Sequence, residues 1–530
     1  MPKVLVSDPI SEAGIAILRR IPNTTVDVKL GLKPDELKAI IGNYDALAVR
    51  SETKVTADIL ASAQKLQIIG RAGVGVDNID VNAATKRGVV VVNSPEGNTL
   101  AAAELAVALL LALARKIPQA DASLRAGKWE RKKFVGTEIY GKTVGVVGLG
   151  KIGRNVAQRM KSFETTVVAF DPFATPEGAR RIGVELVSLD VLLERSDFVT
   201  VHVPLNDATR NMIGKAQIAR MKDGARLINC ARGGIVDEVA LAEAIESGKL
   251  DSAAVDVFSK EPPEADNPLL GLAQNVITPH LGASTEEAQV NVAIDIAEQI
   301  ADVLQGRSAR SAVNLPALSA EELSLVSPYL LLARQIGSLH TQLAAGQGDT
   351  VESVDVGFNG DFSNLPTESI TRATLQGIMA PILEDPVNLV NAPTLAEARG
   401  IKLTEAFSKV SPEHTCLLSI RVKTAKVERT ICGTVYGQEA RIVHIDGFHV
   451  DILPTGRMIV TQHNDRPGII GKIGTLLGDT GVNIGGMHVG REAAGSRAIM
   501  VLLLDEQVSG ELLTQIRAIP GMETAQTVTL

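Results

Sequence analysis

Residues 142–171 read KTVGVVGLGKIGRNVAQRMKSFETTVVAFD. An apolar run, TVGVV, leads into GLGKIG. An amphipathic stretch, IGRNVAQRMKSF, follows, and a second apolar run ends on Asp171. This strand, turn, helix, strand order is that of a dinucleotide-binding βαβ unit. Gly148, Gly150 and Gly153 hold the GxGxxG positions, where missing side chains permit a tight turn and close approach to a pyrophosphate. The helix that starts at Lys151 offers unpaired N–H groups and the positive end of its dipole. Asp171, 21 residues after Gly150, is placed to accept hydrogen bonds from adenosine ribose hydroxyls and to repel a 2′-phosphate. The expected cofactor is therefore NAD rather than NADP.

The same alternation extends in both directions. Upstream, KVLVSD precedes EAGIAILRRI, DALAVR precedes TADILASA, LQIIGRAG precedes NIDVNAATKRG, and VVVVNS follows. Downstream come FVTVHVP, ARLINCARGG, SAAVDVF and NVITPH. Strands alternating with helices predict two doubly wound, Rossmann-like parallel sheets. A long helical stretch, STEEAQVNVAIDIAEQIADVLQG, is long enough to return the chain to the first sheet. SARSAVNLPALS then reads as a linker. Beyond it, residues 320–450 mix helices with strands in α+β fashion. The segment from Arg457 reads strand, helix, strand, strand, helix, strand.

With 530 residues the chain is too long for one core. Hydrophobic residues make up 45% and aromatics 3%, so Val, Ile, Leu and Ala fill the interior. The net charge of −8 and the lack of a long basic run exclude a nucleic-acid binder. The apolar run LAVALLLALA at 105–114 is too short to span a bilayer and reads as a buried helix at a domain or subunit interface. The opening MPKVLVSDP reads as a strand rather than a signal peptide. Cys230, Cys416 and Cys432 are odd in number and widely spaced, which suggests neither a disulfide framework nor a metal cluster. The expectation is a cytoplasmic protein without a metal or a membrane partner.

Three predicted strands end on residues suited to oxidising a secondary alcohol. NCARGGIVDE carries Arg232, DVFSKEPP carries Glu261 and ITPHLGAST carries His280. Such chemistry needs a group to take the hydroxyl proton, for which a histidine held by a carboxylate is suited, and a cation for the substrate's negative oxygens. Loops beyond the carboxyl ends of strands are where open α/β sheets bind ligands. Singly, each residue is equally at home on a solvated loop or as a structural group.

Taken in order, GLGKIG, NCARGGIVDE, AVDVFSKEPP and PHLGAST resemble the D-isomer-specific 2-hydroxyacid dehydrogenases. VRSETKVTADIL, IIGRAGVGVDNID and GKWERKKF narrow the likeness to members acting on 3-phosphoglycerate. The resemblance implies His280 as acid/base, Glu261 as its partner and Arg232 on the substrate's carboxylate and oxygen. It implies Asp256 at the nicotinamide carboxamide, with Val74, Lys151, Ile152, Val203, Cys230, Ala231 and Gly282 along the cofactor. Val74 and Gly75 would offer backbone donors to the substrate, beside Ser51. The substrate's phosphate would need Arg50, Arg71, Arg131 or Lys132, since Arg matches phosphate oxygens two at a time. Where glycine is expected after KSF, to cap the helix in a left-handed conformation, this chain has Glu164.

The C-terminal segment MIVTQHNDRPGIIGKIGTLLGDTGVNIGGMHVGRE resembles an ACT domain, a βαββαβ module that binds amino acids. Asp465 would hold an effector's ammonium and Asn483 would complete the site, with L-serine the implied effector. Residues 320–452 resemble the intervening domain of the family's longer members, with Arg441 the cation noted there. The implied domains are 1–97 with 284–316 for substrate, 98–283 for NAD, 317–452 intervening and 455–530 ACT. A homo-oligomer, dimer or tetramer, is implied as well. The alternatives are a reductase of hydroxypyruvate, glyoxylate or 2-oxoglutarate, and an NAD-sensing corepressor, whose polar tail would contrast with this apolar C-terminus.

Overall fold

The first sheet is built from short apolar strands that need cover on both faces. They are β1 (Lys3–Val6), β2 (Thr25–Val28), β3 (Ala46–Val49), β4 (Ile68–Arg71) and β5 (Val90–Val92), in the order β2-β1-β3-β4-β5. All pairings are parallel. In the computed structural model, residues 1–316, 318–344, 350–383, 386–411 and 413–530 are described.

The second sheet contains β6 (Thr143–Val147), β7 (Thr166–Phe170), β8 (Glu185–Leu186), β9 (Phe198–Val201), β10 (Ala225–Asn229), β11 (Leu250–Val255) and β12 (Val276–Ile277). Its order, β12-β11-β10-β9-β6-β7-β8, reverses direction between β6 and β9. The crevice above that reversal is where a doubly wound sheet takes its ligand. The helix Thr99–Arg115 carries the chain into this domain, and Ala103, Ala106 and Leu110 pack with Ile228, Ala254 and Val276.

The helix Glu286–Leu304 returns to the first sheet, where Ile296 and Ile300 share a core with Val4, Val6 and Ile68. The segment after it is not a free linker. Val313 N–H donates to Val91 O, and the Asn314 side chain accepts from Val91 N–H and donates to Val89 O. The open edge of β5 supplies the partners that hold residues 312–314 down. Composition alone could not reveal that edge.

The third unit is a six-stranded sheet of β13 (Val351–Gly360), β14 (Lys402–Ser408), β15 (Cys416–Thr424), β16 (Glu428–Tyr436), β17 (Glu439–Ile445) and β18 (Phe448–Ile452). Its order is β14-β13-β15-β16-β17-β18, with only β13 and β14 parallel. The fourth contains β19 (Arg457–Asn464), β20 (Ile484–Arg491), β21 (Arg497–Leu504) and β22 (Met522–Thr529), with helices Ile469–Asp479 and Gly510–Arg517. Its sheet, β20-β21-β19-β22, is antiparallel throughout. Alternation divides its residues. Ile459, Met500 and Leu502 meet the unit's own helices, while Met458, Val460, Ile499, Val501 and Val528 enter the third unit's core. The last two units therefore share one hydrophobic interior. Among the described residues no helix is long and apolar enough to cross a membrane.

Candidate active site

The glycine loop after β6 is shaped by backbone contacts that no side chain would tolerate. Gly148 has φ +94°, and a Cβ there would stand 2.5 Å from His202 O. A Cβ on Gly153 would stand 1.9 Å from Gly148 O. Gly150 is the N-cap of the helix Lys151–Ser162, with no side chain on its first N–H groups and open space where its Cβ would be. Asp171, ending β7, accepts from Leu149 N–H at 2.7 Å and Phe173 N–H at 2.8 Å. Open N–H donors, a cradle that admits only glycine and an acid at the ribose position fit an NAD-type dinucleotide.

Around that loop, Lys151 pairs with Glu96 of the crossover from the first domain, at 2.5 Å. Ile152, Val203 and Ala231 are half-buried, and Gly282 is buried. Burial, and then the nearby charge of Asp256, pushes the Cys230 thiol well up, so it stays protonated and packs.

Past β12 the chain turns back at His280, whose φ is +53°. Such a conformation is costly for a non-glycine residue and persists only where its surroundings impose it. Buried Asp256, after β11, does this. It accepts from Thr278 Oγ1 at 2.6 Å, Leu281 N–H at 2.7 Å and Gly282 N–H at 3.1 Å. His280 Nδ1 then meets Glu261 Oε2 at 2.7 Å. Burial acts to raise Glu261's pKa, but the bond from His280, the Phe258 N–H and the charge of Arg232 outweigh it and hold it below its ordinary value. With Nδ1–H donating to Glu261, Nε2 is left to exchange a proton. These residues line a cleft of about 430 Å³ that includes Pro262, Pro263 and Ile277.

Arg232 reaches from the second sheet to the loop after β4. Its Nε lies 3.4 Å from Asp77 Oδ2, and its Nη2 occupies the space a Cβ on Gly75 would need. Arg71 lies beneath the same loop, against Gly73. Its Nε is sealed from solvent without a partner among the described residues. Burial, then the charges of Arg232 and Arg50, lowers its pKa to about 10. Three guanidiniums thus converge where Asp77 and Asp8 are the nearby anions, and Asp8 is committed. It is buried and accepts from the backbone N–H groups of Arg50, Glu52 and Thr53, shaping the loop that exposes Ser51. Val74 is fixed through its carbonyl by Asn93.

Arg131 and Lys132 lie elsewhere. They are exposed on the 3-10 turn Arg131–Phe134, and the following Thr137 bonds Ala114 O and Arg226, near the amino end of β10. The site lies at the opposite end of the helix Thr99–Arg115, where a Cβ on Gly282 would stand 3.9 Å from that of Ala102. Seventeen helical residues separate the two ends by roughly 25 Å. Sequence reasoning also missed Asp8, Asp77 and Asn93. Only the position of Asp8 at a strand's carboxyl end could have flagged it.

Asp465 and Asn483 do not meet within one chain. Asn464 pairs with Arg497 at one end of β21, and Ile484 pairs with Leu504 at the other. Strand geometry puts those ends roughly 20 Å apart. Asp465 is engaged by Gly495 N–H and Arg491, and Asn483 by Asp505. Arg441 is likewise tied between Glu439 and Asp451.

A strained histidine backed by a carboxylate, facing a dinucleotide loop and an arginine cluster, is the site of a nicotinamide-linked dehydrogenase of an anionic alcohol. Residues 107–282 match the D-isomer specific 2-hydroxyacid dehydrogenase NAD binding domain. Residues 325–446 match the D-3-phosphoglycerate dehydrogenase intervening domain, and residues 457–521 an ACT domain. The D-3-phosphoglycerate dehydrogenase of Archaeoglobus fulgidus is 47% identical over all of both chains. That of Bacillus subtilis is 42% identical over 100% of this chain and 99% of its own. Among solved structures, a glyoxylate reductase from Paecilomyes thermophila superposes with a TM-score of 0.54 at 29% identity, covering 59% of this chain and 98% of its own. A D-lactate dehydrogenase from Aquifex aeolicus, complexed with NAD and lactic acid, gives 0.52 at 25%, covering 57% and 96%. The chain belongs to the D-isomer specific 2-hydroxyacid dehydrogenases, as an NAD-dependent enzyme. Within that family, its full-length likeness is to the D-3-phosphoglycerate dehydrogenases that carry intervening and ACT domains.

Proposed function

We propose that this enzyme oxidises 3-phospho-D-glycerate to 3-phosphohydroxypyruvate, the entry step to phosphorylated serine synthesis. The observation that carries this reading is the arginine cluster: Arg71 is half-buried with its Nε unpaired, and it feels the charge of Arg232, which also acts on Glu261. Arg232 holds the substrate's carboxylate and hydroxyl oxygen, helped by the backbone N–H groups of Val74 and Gly75. His280 Nε2 accepts the hydroxyl proton, and Glu261 steadies the resulting imidazolium. NAD⁺, held by the glycine loop and Asp171, would supply the hydride acceptor for C2. Arg71 and Arg50 take the phosphate, which an unphosphorylated 2-hydroxy acid would leave unmatched. That disfavours reduction of glyoxylate, hydroxypyruvate or 2-oxoglutarate as the main activity. Steady-state rates with NAD⁺ across phosphorylated and unphosphorylated 2-hydroxy acids test the reading, which fails if the phosphate brings no gain in kcat/KM.

Two finer readings rest on the surface. Ile117, Leu124, Trp129, Val135 and Tyr140 expose apolar side chains within one stretch of 24 residues, which supports a homo-oligomer. In such an assembly Arg131 and Lys132 reach substrate only in another copy's site. The ACT unit indicates a small-molecule effector. With L-serine as that effector, a site using both Asp465 and Asn483 draws on two chains. Three free thiols are consistent with a cytoplasmic enzyme.

A further inference from the structure

The intervening unit carries a cluster that the dehydrogenase chemistry does not use. β17 and β18 are joined by Asp446 and Gly447, with φ +50° and +84°, a two-residue turn in which both central residues are left-handed. The turn is pinned, since the Asp446 carboxylate accepts from Thr430 N–H at 3.0 Å and Arg429 Nε at 3.1 Å. Ile445 and Phe448 flank it, and the next cross-strand pair is His444 with His449. In a hairpin of this register that pair is the non-hydrogen-bonded kind, whose side chains stand closest. The backbone therefore places two imidazoles side by side on one face.

The two Nε2 atoms lie 3.4 Å apart. Glu413, from the loop entering β15, directs one oxygen at each ring, 3.7 Å from His444 Nε2 and 4.0 Å from His449 Nε2. The ring–ring contact is a long hydrogen bond, and the two carboxylate separations exceed the usual N–H···O length of about 2.9–3.0 Å, so direct hydrogen bonds account poorly for the convergence. The three separations do suit an ion between them. Two ligands about 2.05 Å from a tetrahedral centre stand roughly 3.3–3.4 Å apart, which is the spacing of the two Nε2 atoms, and the Glu413 carboxylate brings one oxygen within 4.0 Å of each. Two nitrogens and one carboxylate oxygen select a borderline transition ion over Mg²⁺ or Ca²⁺, which take oxygen ligands.

We propose that Glu413, His444 and His449 form a Zn²⁺ site, with water completing the ion's coordination. Glu413 and His449 side chains are 55% and 72% exposed, so the fourth position is open and the ion exchanges with solvent. Bound there, zinc ties the loop before β15 to the edge hairpin β17–β18. The hairpin's other side abuts the ACT unit, where a Cβ on Gly490 would stand 2.3 Å from His449 O.

The test uses the full-length chain, stripped with a chelator and dialysed against ZnCl₂. One ion per chain is expected, with a rise in the thermal midpoint that depends on zinc concentration. His449→Gln, His444→Ala and Glu413→Gln should each weaken zinc at least about tenfold, the scale lost when even an outer support of a metal ligand is removed. Dehydrogenase turnover, measured without zinc, reports that each variant is folded. Because His449 is well exposed, His449→Gln serves where His444→Ala fails to fold. Co²⁺ substitution gives an independent readout, with the weak visible bands of a nitrogen–oxygen site. No zinc bound at tens of micromolar, full retention by the His444→Ala/His449→Gln double variant, or an intense near-ultraviolet thiolate–cobalt band placing the ion on Cys432 would each overturn the assignment.

Discussion

Nε of Arg232, on a loop of the NAD-binding sheet, lies 3.4 Å from Oδ2 of Asp77, on a loop of the other sheet. One guanidinium thus spans the cleft between the two domains before substrate arrives. Asp77 is 74% exposed, so the pair contributes no more than about 1 kcal/mol. Asp77→Asn should change kcat/KM by less than about fivefold. Arg232→Lys keeps the charge but loses the planar fork that matches a carboxylate, and should cost about 2–5 kcal/mol, roughly 30- to 4000-fold in kcat/KM. Steady-state kinetics of both variants separate the two roles. Equal losses would mean that Asp77, not substrate, is the partner that matters.

His280→Ala should lower kcat by about 10²–10⁴-fold while NAD binding, followed by fluorescence or calorimetry, stays near normal. Glu261→Gln should cost less. Glu261's pKa lies below its ordinary value of 4.5 in the folded protein. A carboxylate depressed in this way adds stability above its unfolded pKa and loses it as the pH falls toward the lower folded value. That part of the acid sensitivity should begin below about pH 4.5 and be absent from Glu261→Gln. A variant with the wild-type acid unfolding profile would remove the pair from the account.

Arg71 is held at a cost. Its pKa is lowered to about 10, so its charged form is disfavoured by folding throughout the physiological range. Removing a buried, poorly paired charge in favour of an apolar side chain of similar volume is often neutral or stabilising by about 1–4 kcal/mol. Arg71→Met should therefore leave the thermal midpoint unchanged or raise it, while KM for 3-phosphoglycerate rises tenfold or more. The unphosphorylated analogue should be little affected. A lower midpoint with equal losses on both substrates would make Arg71 a structural residue.

The helix Lys151–Ser162 ends in the left-handed turn that glycine favours, yet Glu164 occupies it with φ +57°. The turn is fixed by neighbours, with Glu164 N–H donating to Lys161 O and Gly141 N–H donating to Glu164 O. Left-handed backbone costs a side-chain-bearing residue roughly 1–2 kcal/mol, partly offset by glycine's greater freedom when unfolded. Glu164→Gly should stabilise the domain by about 0.5–1 kcal/mol without changing NAD affinity. Chemical denaturation of the two proteins decides it, and a destabilised glycine variant would show that the side chain holds the turn.

The same cap shows how legibility divides. The two parallel sheets and the glycine loop could be read from sequence because their signals are local: Gly148, Gly150, Gly153 and Asp171 lie within one βαβ unit. The state of Arg71 could not, because it depends on Arg232, delivered by a different sheet 161 residues later. Asp77 sits inside the IIGRAGVGVDNID run, but nothing local shows that it meets Arg232, and Asp8 and Asn93 act by holding loops. Arg131 and Lys132 suit a phosphate by residue type, but a basic run does not say which end of a 17-residue helix it follows, nor which chain's site it serves. His444 and His449 flank a visible Asp-Gly turn, yet only the cross-strand register brings their rings together.

Register also governs the effector site. Asp465 already accepts from Gly495 N–H at 3.2 Å and pairs with Arg491 at 3.3 Å, and in that order these hold its pKa below the ordinary value. An amino-acid ammonium must displace or join Arg491 there. Asn483 lies at the other end of the sheet, so if both residues touch one serine they do so from two chains. Inhibition requires a state that serine binds better than the active one, and a coupling of about 1–3 kcal/mol shifts affinity roughly 5- to 150-fold. L-Serine should therefore inhibit the wild-type enzyme, and Asp465→Ala and Asn483→Ala should each abolish inhibition while leaving basal turnover intact. Mixed assemblies of the two variants decide between one-chain and two-chain sites. A shared site leaves some interfaces with an intact Asp465 facing an intact Asn483, so partial serine sensitivity should return on mixing. A one-chain site would restore none, because every chain lacks one of its residues. Absence of serine binding at millimolar concentration would end the serine assignment and leave the dehydrogenase site untouched.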